Sequence, residues 1–117
     1  KNTEIKFDKI KSSADRVAFL KQFGWEVAAE AVESEDITIP AEFDKIFAAY
    51  NEIQKNQGLD LGKYQKKEMV RYTYEITNYP GYEGKVYANL LIYRDKIVGG
   101  DICSADAKGF IHGFDAP

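Results

Sequence analysis

The second half of the chain alternates apolar and polar residues almost without interruption, and this pattern limits the fold more than any other feature. Four stretches are predicted as strands, at residues 67–77, 85–93, 97–104 and 110–114. The turns between them are too short for a parallel return, which needs a crossover of about a dozen residues or more. Consecutive strands are therefore expected to pair antiparallel. Residues 85–93 are apolar on both faces, which is typical of a central strand.

Two helices are predicted in the first half of the chain. Ser12 and Asp15 have the spacing of a capping box, and Gly24 is predicted to end the helix that begins there. Pro40 supplies the first position of a second, longer helix, which Gly58 ends. The apolar residues of this longer helix recur at three- and four-residue steps, and they are Phe43, Ile46, Phe47, Tyr50 and Ile53. We expect this helix to pack on one face of the sheet, with Phe43 toward it.

The stretch between the helices is predicted to be largely extended. Residues 25–31 alternate as in a strand, the acidic residues 33–36 interrupt the pattern as a solvated loop, and residues 37–39 resume it. The predicted fold class is α+β, with two helices and a curved antiparallel sheet in the order α-β-α-β-β-β-β, an order shared with cystatin-like and NTF2-like cones. Residues 1–11 are predicted as a polar N-terminal extension, and residues 12–117 as a single α+β domain.

Composition excludes several classes of protein. Hydrophobic residues make up 44% and charged residues 30% of the 117 positions, as in a globular chain, and no apolar run approaches the ~20 residues of a membrane-spanning helix. The net charge of −3 argues against a nucleic-acid partner. Cys103 is the single cysteine, so neither an internal disulfide nor a cysteine-based zinc site can form. The acidic residues 33–36 lack the ligand spacing of a calcium loop, and we expect no metal and no cofactor.

One hypothesis is a small hydrolase or transferase built on three residues. His112 is the only histidine, and Asp101 and Cys103 share one face of the preceding predicted strand, so a hairpin could bring either near its ring. A thiolate beside an imidazole is the nucleophile of cysteine hydrolases. A buried thiol and a hydrogen-bonded histidine are favoured instead, because no cation neighbours Cys103 in sequence to lower its pKa. Gly99 and Gly100, in the same strand, indicate a bulge or a close contact with the helix.

Tyrosines in the predicted strands indicate a binding surface instead. Tyr72, Tyr74, Tyr87 and Tyr93 are the candidate binding residues, since exposed aromatic rings can bind a protein, peptide or sugar ligand. In the alternative interpretation, these rings pack on cross-strand neighbours on the wetter face of the sheet. A third interpretation is self-association through tyrosine-bearing strand edges.

Several segments together resemble a bacterial family, the domain of unknown function 4830. They are RVAFL and FGWEV within residues 16–27, YNEIQ and QGLDL within 50–61, RYTY and NYP within 71–80, and GGDICS and GFIHG within 99–113. The resemblance extends from Ala14 to Phe114. It implies no activity, but it does imply that a hydrophobic anchor or signal precedes the domain.

The expected function combines these observations. The sequence opens on Lys1 rather than Met, which favours a chain trimmed at its N-terminus. With the resemblance, this predicts an extracytoplasmic setting and a membrane anchor in a segment outside this sequence. The predicted role is a non-enzymatic binding or accessory module that uses one sheet face or the concavity between the sheet and the longer helix. The enzyme hypothesis, with His112, Asp101 and Cys103, is the alternative.

Overall fold

The computed structural model describes residues 4–106 and 108–116. Its elements, in chain order, are α1 (Ser13–Lys21), β1 (Glu33–Thr38), α2 (Lys45–Asn56), a short 3₁₀ helix (Leu61–Tyr64), β2 (Glu68–Ile76), β3 (Val86–Tyr93), β4 (Lys96–Ser104) and β5 (Ile111–His112). Within the described residues the five strands form one sheet in the order β1-β2-β3-β4-β5, and all neighbouring strands are antiparallel. The predicted α+β class and element order are confirmed, and β3 is the central strand as its two-sided apolarity predicts.

Each face of the sheet packs against one of the helices. The α1 face carries the row Tyr74, Ala88 and Ile102, all fully buried together with Phe19 and Leu20 of α1. The α2 face has a smaller apolar cluster, which consists of Ile39, Leu61, Met69, Leu91 and Val98. Phe43, Phe47 and Tyr50 pack against this second cluster, so the longer helix lies on one face as predicted.

The caps of both helices follow from their sequences. The Ser12 side chain accepts a hydrogen bond from the Asp15 amide, and the Asp15 carboxylate accepts one from the Ser12 amide, which completes the predicted capping box. The second helix begins later than Pro40 predicts. The Asp44 carboxylate accepts a hydrogen bond from the Phe47 amide, and this side-chain cap sets the start of α2 at Lys45.

The buried side of α2 is partly polar, contrary to the apolar spacing. Asn51 and Gln54 are its buried residues, whereas Ile46 is 82% exposed. The Asn51 amide bonds both Asp60 and the Leu61 backbone, and so it ties α2 to the 3₁₀ helix. Tertiary hydrogen bonds therefore help to determine which side of α2 is buried. The burial of Ile46 that the hydrophobic spacing predicts is wrong.

Two predictions about the segment between the helices are wrong. Residues 25–31 do not form a strand, because only Val27 makes an isolated bridge, to Ile76, and the alanines around it are weak strand formers. The acidic residues 33–36 are not a loop but the start of β1, which pairs with β2 along its whole length. Charged side chains are common on edge strands because they oppose pairing with other chains.

The segment before α1 packs onto the domain. The Ile10 amide donates to the Asp95 carbonyl at 2.8 Å, and the Ile97 amide donates to the Phe7 carbonyl at 2.7 Å. The Phe7 ring meets Phe19 edge to face with the ring centroids 5.3 Å apart. The hydrophobic core therefore takes in residues on both sides of the predicted boundary at residue 12.

Gly99 follows a bulge of β4, as predicted, and the close contact at Gly100 is with β3 and the Phe114 ring. Leu91 opposes Gly99 and Ile92 opposes Ile97, so Val98 is an extra residue in β4. Gly100 has a φ of +152°, and a Cβ there would clash with the Asn89 carbonyl oxygen and the Phe114 ring. Among the described residues, no helix has both the length and the apolar character needed to cross a membrane.

Candidate functional site

An open groove lies on the α2 face of the sheet, beside α2. It consists of two surface cavities, of about 480 Å³ and about 380 Å³. Both are lined by Arg71, Asn89 and Cys103, so they adjoin at these residues. The larger cavity extends to Val32 and Tyr87, and the smaller one lies against α2.

The strand register explains why polar side chains meet in this groove. Directly opposed residues of an antiparallel sheet point to the same face. Thr73, Asn89 and Asp101 are opposed in β2, β3 and β4 and therefore form one row across the α2 face. Tyr87 and Cys103 form the next row. The predicted shared face of Asp101 and Cys103 is thus confirmed.

A chain of hydrogen bonds runs along the floor of the groove. The Thr73 hydroxyl donates to Asn89 Oδ1 at 2.7 Å, and Asn89 Nδ2 donates to Asp101 Oδ2 at 3.1 Å. The Tyr50 hydroxyl, from α2, donates to Asp101 Oδ1 at 2.8 Å. Asn89 Nδ2 also lies 3.5 Å from Cys103 Sγ. Both carboxylate oxygens of Asp101 therefore have a donor, which a buried carboxyl group requires.

Burial dominates the electrostatics of this network. It raises the pKa of Asp101, although the hydrogen bonds from Asn89 and Tyr50 act in the opposite direction. Burial, and then the charge of Asp101, hold the pKa of Tyr50 well above its usual value. The same two causes raise the pKa of Cys103 to about 11. At neutral pH the Cys103 side chain is therefore a neutral thiol and a poor nucleophile.

The third candidate of the enzyme hypothesis, His112, lies on the opposite face of the sheet. It opposes Ile102 in the β4–β5 pairing, so its ring is on the α1 face while Asp101 and Cys103 open into the groove. Its Nδ1 lies 2.7 Å from the Gly113 carbonyl oxygen and its Nε2 lies 2.7 Å from the Tyr79 hydroxyl. Since a carbonyl only accepts, Nδ1 carries a proton, and in a neutral ring Nε2 then accepts from the Tyr79 hydroxyl.

This register separates the candidate base from the candidate nucleophile. A catalytic pair needs the two side chains within hydrogen-bond reach. Among the candidate catalytic residues, the structure brings together Asp101 and Cys103 but not His112. His112 also borders a separate cavity of about 480 Å³ with Asn56 and Asp115, where both of its ring nitrogens are already engaged.

The four candidate tyrosines do not share one surface. Tyr74 is fully buried on the α1 face, and Tyr72 lies on the same face beneath the guanidinium of Arg16, 3.7 Å from its ring centroid. Tyr87 lines the groove. Tyr93 is on the α2 face but packs against the apolar cluster there. Only Tyr87 of the four lies in a cavity of the groove, so the four rings do not form one continuous aromatic surface.

Most residues of the groove were not singled out from the sequence as site residues. Among them are the polar residues Tyr50, Arg71, Thr73 and Asn89. The clearest signal was Asn89, a polar amide at the middle of a stretch that is otherwise apolar on both faces. Arg71 and Thr73 alternate with tyrosines in β2, and this alternation shows that they share a face but not that the face is partly uncovered.

The reactivity of Cys103 gives a direct test of this electrostatic description. Iodoacetamide should modify Cys103 on the order of 100-fold more slowly in the folded protein at neutral pH than in urea, because the thiolate fraction falls with the raised pKa. The folded-state rate should keep rising with pH toward a midpoint of about 11. Mass spectrometry of timed samples measures both rates. Equal rates in the folded and unfolded protein would contradict the raised pKa of the Cys103 thiol and favour the enzyme hypothesis.

These features define the class of the protein as an α+β domain with an open, polar-floored groove on one sheet face. The chain belongs to the family described as Domain of unknown function (DUF4830), whose match covers residues 19–102 and so more than half of the sequence. The predicted resemblance is thereby confirmed. Comparison with curated proteins and with solved structures gives no significant match. No cluster of three or more metal-ligating side chains is present in the part of the chain that the structure describes.

Proposed function

We propose that this domain is a non-enzymatic binding module, located outside the cytoplasm, whose ligand occupies the groove on the α2 face. The extracytoplasmic setting is supported by the anchor or signal that the family resemblance implies. The binding role is supported by the groove itself. Ligand sites are typically concave, with apolar walls and a few fixed polar groups, and volumes of roughly 300–1,000 Å³.

The placement of the exposed hydrophobic residues carries the proposal. The large hydrophobic side chains that stand out by exposure are Val32 at 57%, Ile46 at 82% and Ile111 at 49%. Val32 borders the larger cavity, and Ile46 and Ile111 border the smaller one. Single exposed hydrophobic residues are ordinary, but three around one depression give it an apolar rim that a ligand would cover.

The chemistry of the floor supports binding rather than catalysis. The Cys103 thiol is neutral, and Asp101 is held by donors from two elements. Such a network is rigid and well suited to orient a ligand. Self-association through tyrosine-bearing edges has no support, because the edge strands β1 and β5 contain no tyrosine.

The proposal predicts that small molecules bind in the groove and that a charge on its rim prevents this. Amide NMR spectra recorded with a set of neutral and charged fragments should show shifts at Asn89, Cys103 and Ile111. Ile46→Glu should weaken the binding of the best fragment about tenfold, because Ile46 forms part of the apolar wall of the smaller cavity. Since Ile46 is exposed, this substitution should leave the fold intact.

Ala49→Glu is the matched control, since it adds the same charge at another exposed position of α2. Fragment affinity should be unchanged in this variant. Shifts confined to surfaces outside the groove, or equal losses in the two variants, would contradict the proposal.

A further inference from the structure

Arg71 has a distinctive place in the groove. Its side chain is 36% exposed and lies where the two cavities adjoin. Among the described residues it is the only cationic side chain that lines either cavity. A guanidinium at such a junction can be reached from both cavities, and it is the side chain best shaped to hold a carboxylate by two parallel hydrogen bonds.

The guanidinium is only partly satisfied within the chain. Arg71 Nη2 forms an ion pair with Glu35 of β1. Arg71 Nε is buried and has no hydrogen-bond partner among the described residues. Buried donors without an acceptor are uncommon in folded proteins, and one cause is an absent partner such as a ligand or water.

Glu35 is a replaceable partner. Its side chain is 51% exposed and stands on the edge strand of the sheet. Exposed ion pairs of this kind are weak, because solvent screens the charges and two long side chains must be held in place. A carboxylate from a ligand can therefore displace Glu35 from Arg71, which would leave Glu35 free to turn into solvent.

Apolar residues lie next to the guanidinium on the side of the smaller cavity. Leu91 opposes Arg71 directly in β3, and Ile37 lies diagonally across from Arg71 in β1. Phe47 and Ile46 of α2 form the facing wall of that cavity. A ligand whose charged end reaches Arg71 would therefore place its body against hydrophobic side chains.

The acidic groups nearby do not cancel the charge of Arg71. Glu33, at the larger cavity, is exposed on β1, where solvent and salt screen it. Asp101, at the smaller cavity, accepts hydrogen bonds from Tyr50 and Asn89, so its two carboxylate oxygens are engaged with these donors and not with Arg71. Arg71 remains the group that determines which charge a ligand should carry.

We infer that the groove binds a small ligand with a carboxylate on an apolar body, the carboxylate on the guanidinium of Arg71 and the body in the smaller cavity. This inference rests on the proposed function. Glu35 acts in it as an internal competitor for the same guanidinium.

Three probes of one shape test this inference. They are 4-methylpentanoate, its amide, and leucine, which adds an ammonium group to the same carboxylate and isobutyl chain. Titrations followed by amide NMR should show the carboxylate binding in the groove at least about tenfold more tightly than the amide. Leucine binding more tightly than 4-methylpentanoate would assign the ligand to amino acids, equal binding would show that the groove admits both classes, and weaker binding would assign the ligand to simple acids; all three outcomes support the role of Arg71.

Variants separate the charge of Arg71 from general effects on the fold. Arg71→Gln should remove the preference for the carboxylate over the amide, and Arg71→Lys should retain part of it. Glu35→Gln should strengthen carboxylate binding about threefold by removing the competitor. Glu75→Gln is the matched control, because Glu75 is on the same strand and face and pairs with Lys85 but lines neither cavity. This control variant should leave the affinity for the carboxylate unchanged.

The failure of this inference can be told from the failure of the proposed function. Equal affinity of the carboxylate and the amide in the groove would overturn the inference and leave the groove as a binding site. Carboxylate affinity unchanged by both Arg71→Gln and Glu35→Gln would also overturn it. Carboxylate shifts outside the groove, or no carboxylate binding, would overturn it as well, and the fragment set would then decide whether the groove binds any other ligand.

Discussion

Gly100→Ala should lower the free energy of unfolding by about 4 kcal/mol, the largest effect that we expect for a single substitution in this chain. Two costs add. The φ of +152° is one that side-chain-bearing residues rarely adopt, and the new methyl group would meet the Asn89 carbonyl oxygen and the Phe114 ring. The Asn89 oxygen belongs to the backbone of the central strand, so it cannot move without disturbing the sheet. Urea unfolding followed by circular dichroism measures the change.

Gly58→Ala separates the two costs at Gly100. Gly58 also has a positive φ, of +81°, but no atom of the residues that the structure describes lies within 4 Å of a Cβ placed there. This variant should lose only about 1–2 kcal/mol, the cost of the left-handed backbone. Similar losses in the two variants would show that the close contact beneath Gly100 has little energetic weight.

Gln54→Leu should lower the free energy of unfolding by about 3 kcal/mol. Gln54 is fully buried in α2. Its side-chain amide forms hydrogen bonds with both backbone groups of Gly100, accepting from the nitrogen at 2.9 Å and donating to the oxygen at 2.9 Å. Leucine has a similar volume but can neither donate nor accept. The Gly100 nitrogen would lose this acceptor at a cost of about 1–3 kcal/mol. The Gly100 oxygen would keep only the hydrogen bond from Gln57 Nε2 at 3.2 Å, and Gln57 would lose its own hydrogen bond to Gln54 Oε1.

Gln65→Leu is the control for this second substitution. Gln65 is exposed, and its side chain forms a hydrogen bond to the Ala41 carbonyl at the surface. The same chemical change should cost less than about 1 kcal/mol there. If Gln54→Leu is no more harmful than Gln65→Leu in urea unfolding, the amide of Gln54 is not a principal tie between α2 and β4.

The sequence predicted those parts of the fold in which local and tertiary preferences agree. The Ser12 capping box needs only neighbouring residues, and the central place of β3 follows from apolar residues on both of its faces. Only the acidic first part of β1, residues 33–36, was missed, because these residues favour a loop, while pairing with β2 supplies the backbone hydrogen bonds that make them part of a strand. Pairing of this kind depends on a distant segment, so the local composition does not predict it.

The groove was predictable only in part for the same reason. Strand alternation placed Asp101 and Cys103 on one face, and this holds within a single strand. The position of His112 depends on how β5 pairs with β4 after the intervening turn, which alternation does not determine. Arg71 and Asn89 became candidates only when the structure showed that α2 leaves this part of the sheet uncovered.

The extra residue in β4, Val98, determines the chemical character of both sides of the sheet. Side chains alternate along a strand, so pairing Val98 as an ordinary ladder residue, without the bulge, would exchange the sides of everything that follows it. Asp101 would then be directed into the hydrophobic layer under α1, and Ile102 would take its place beside Tyr50. This bulge thus allows a single strand to place the apolar Ile102 side chain in one layer and the Asp101 carboxyl group in the other.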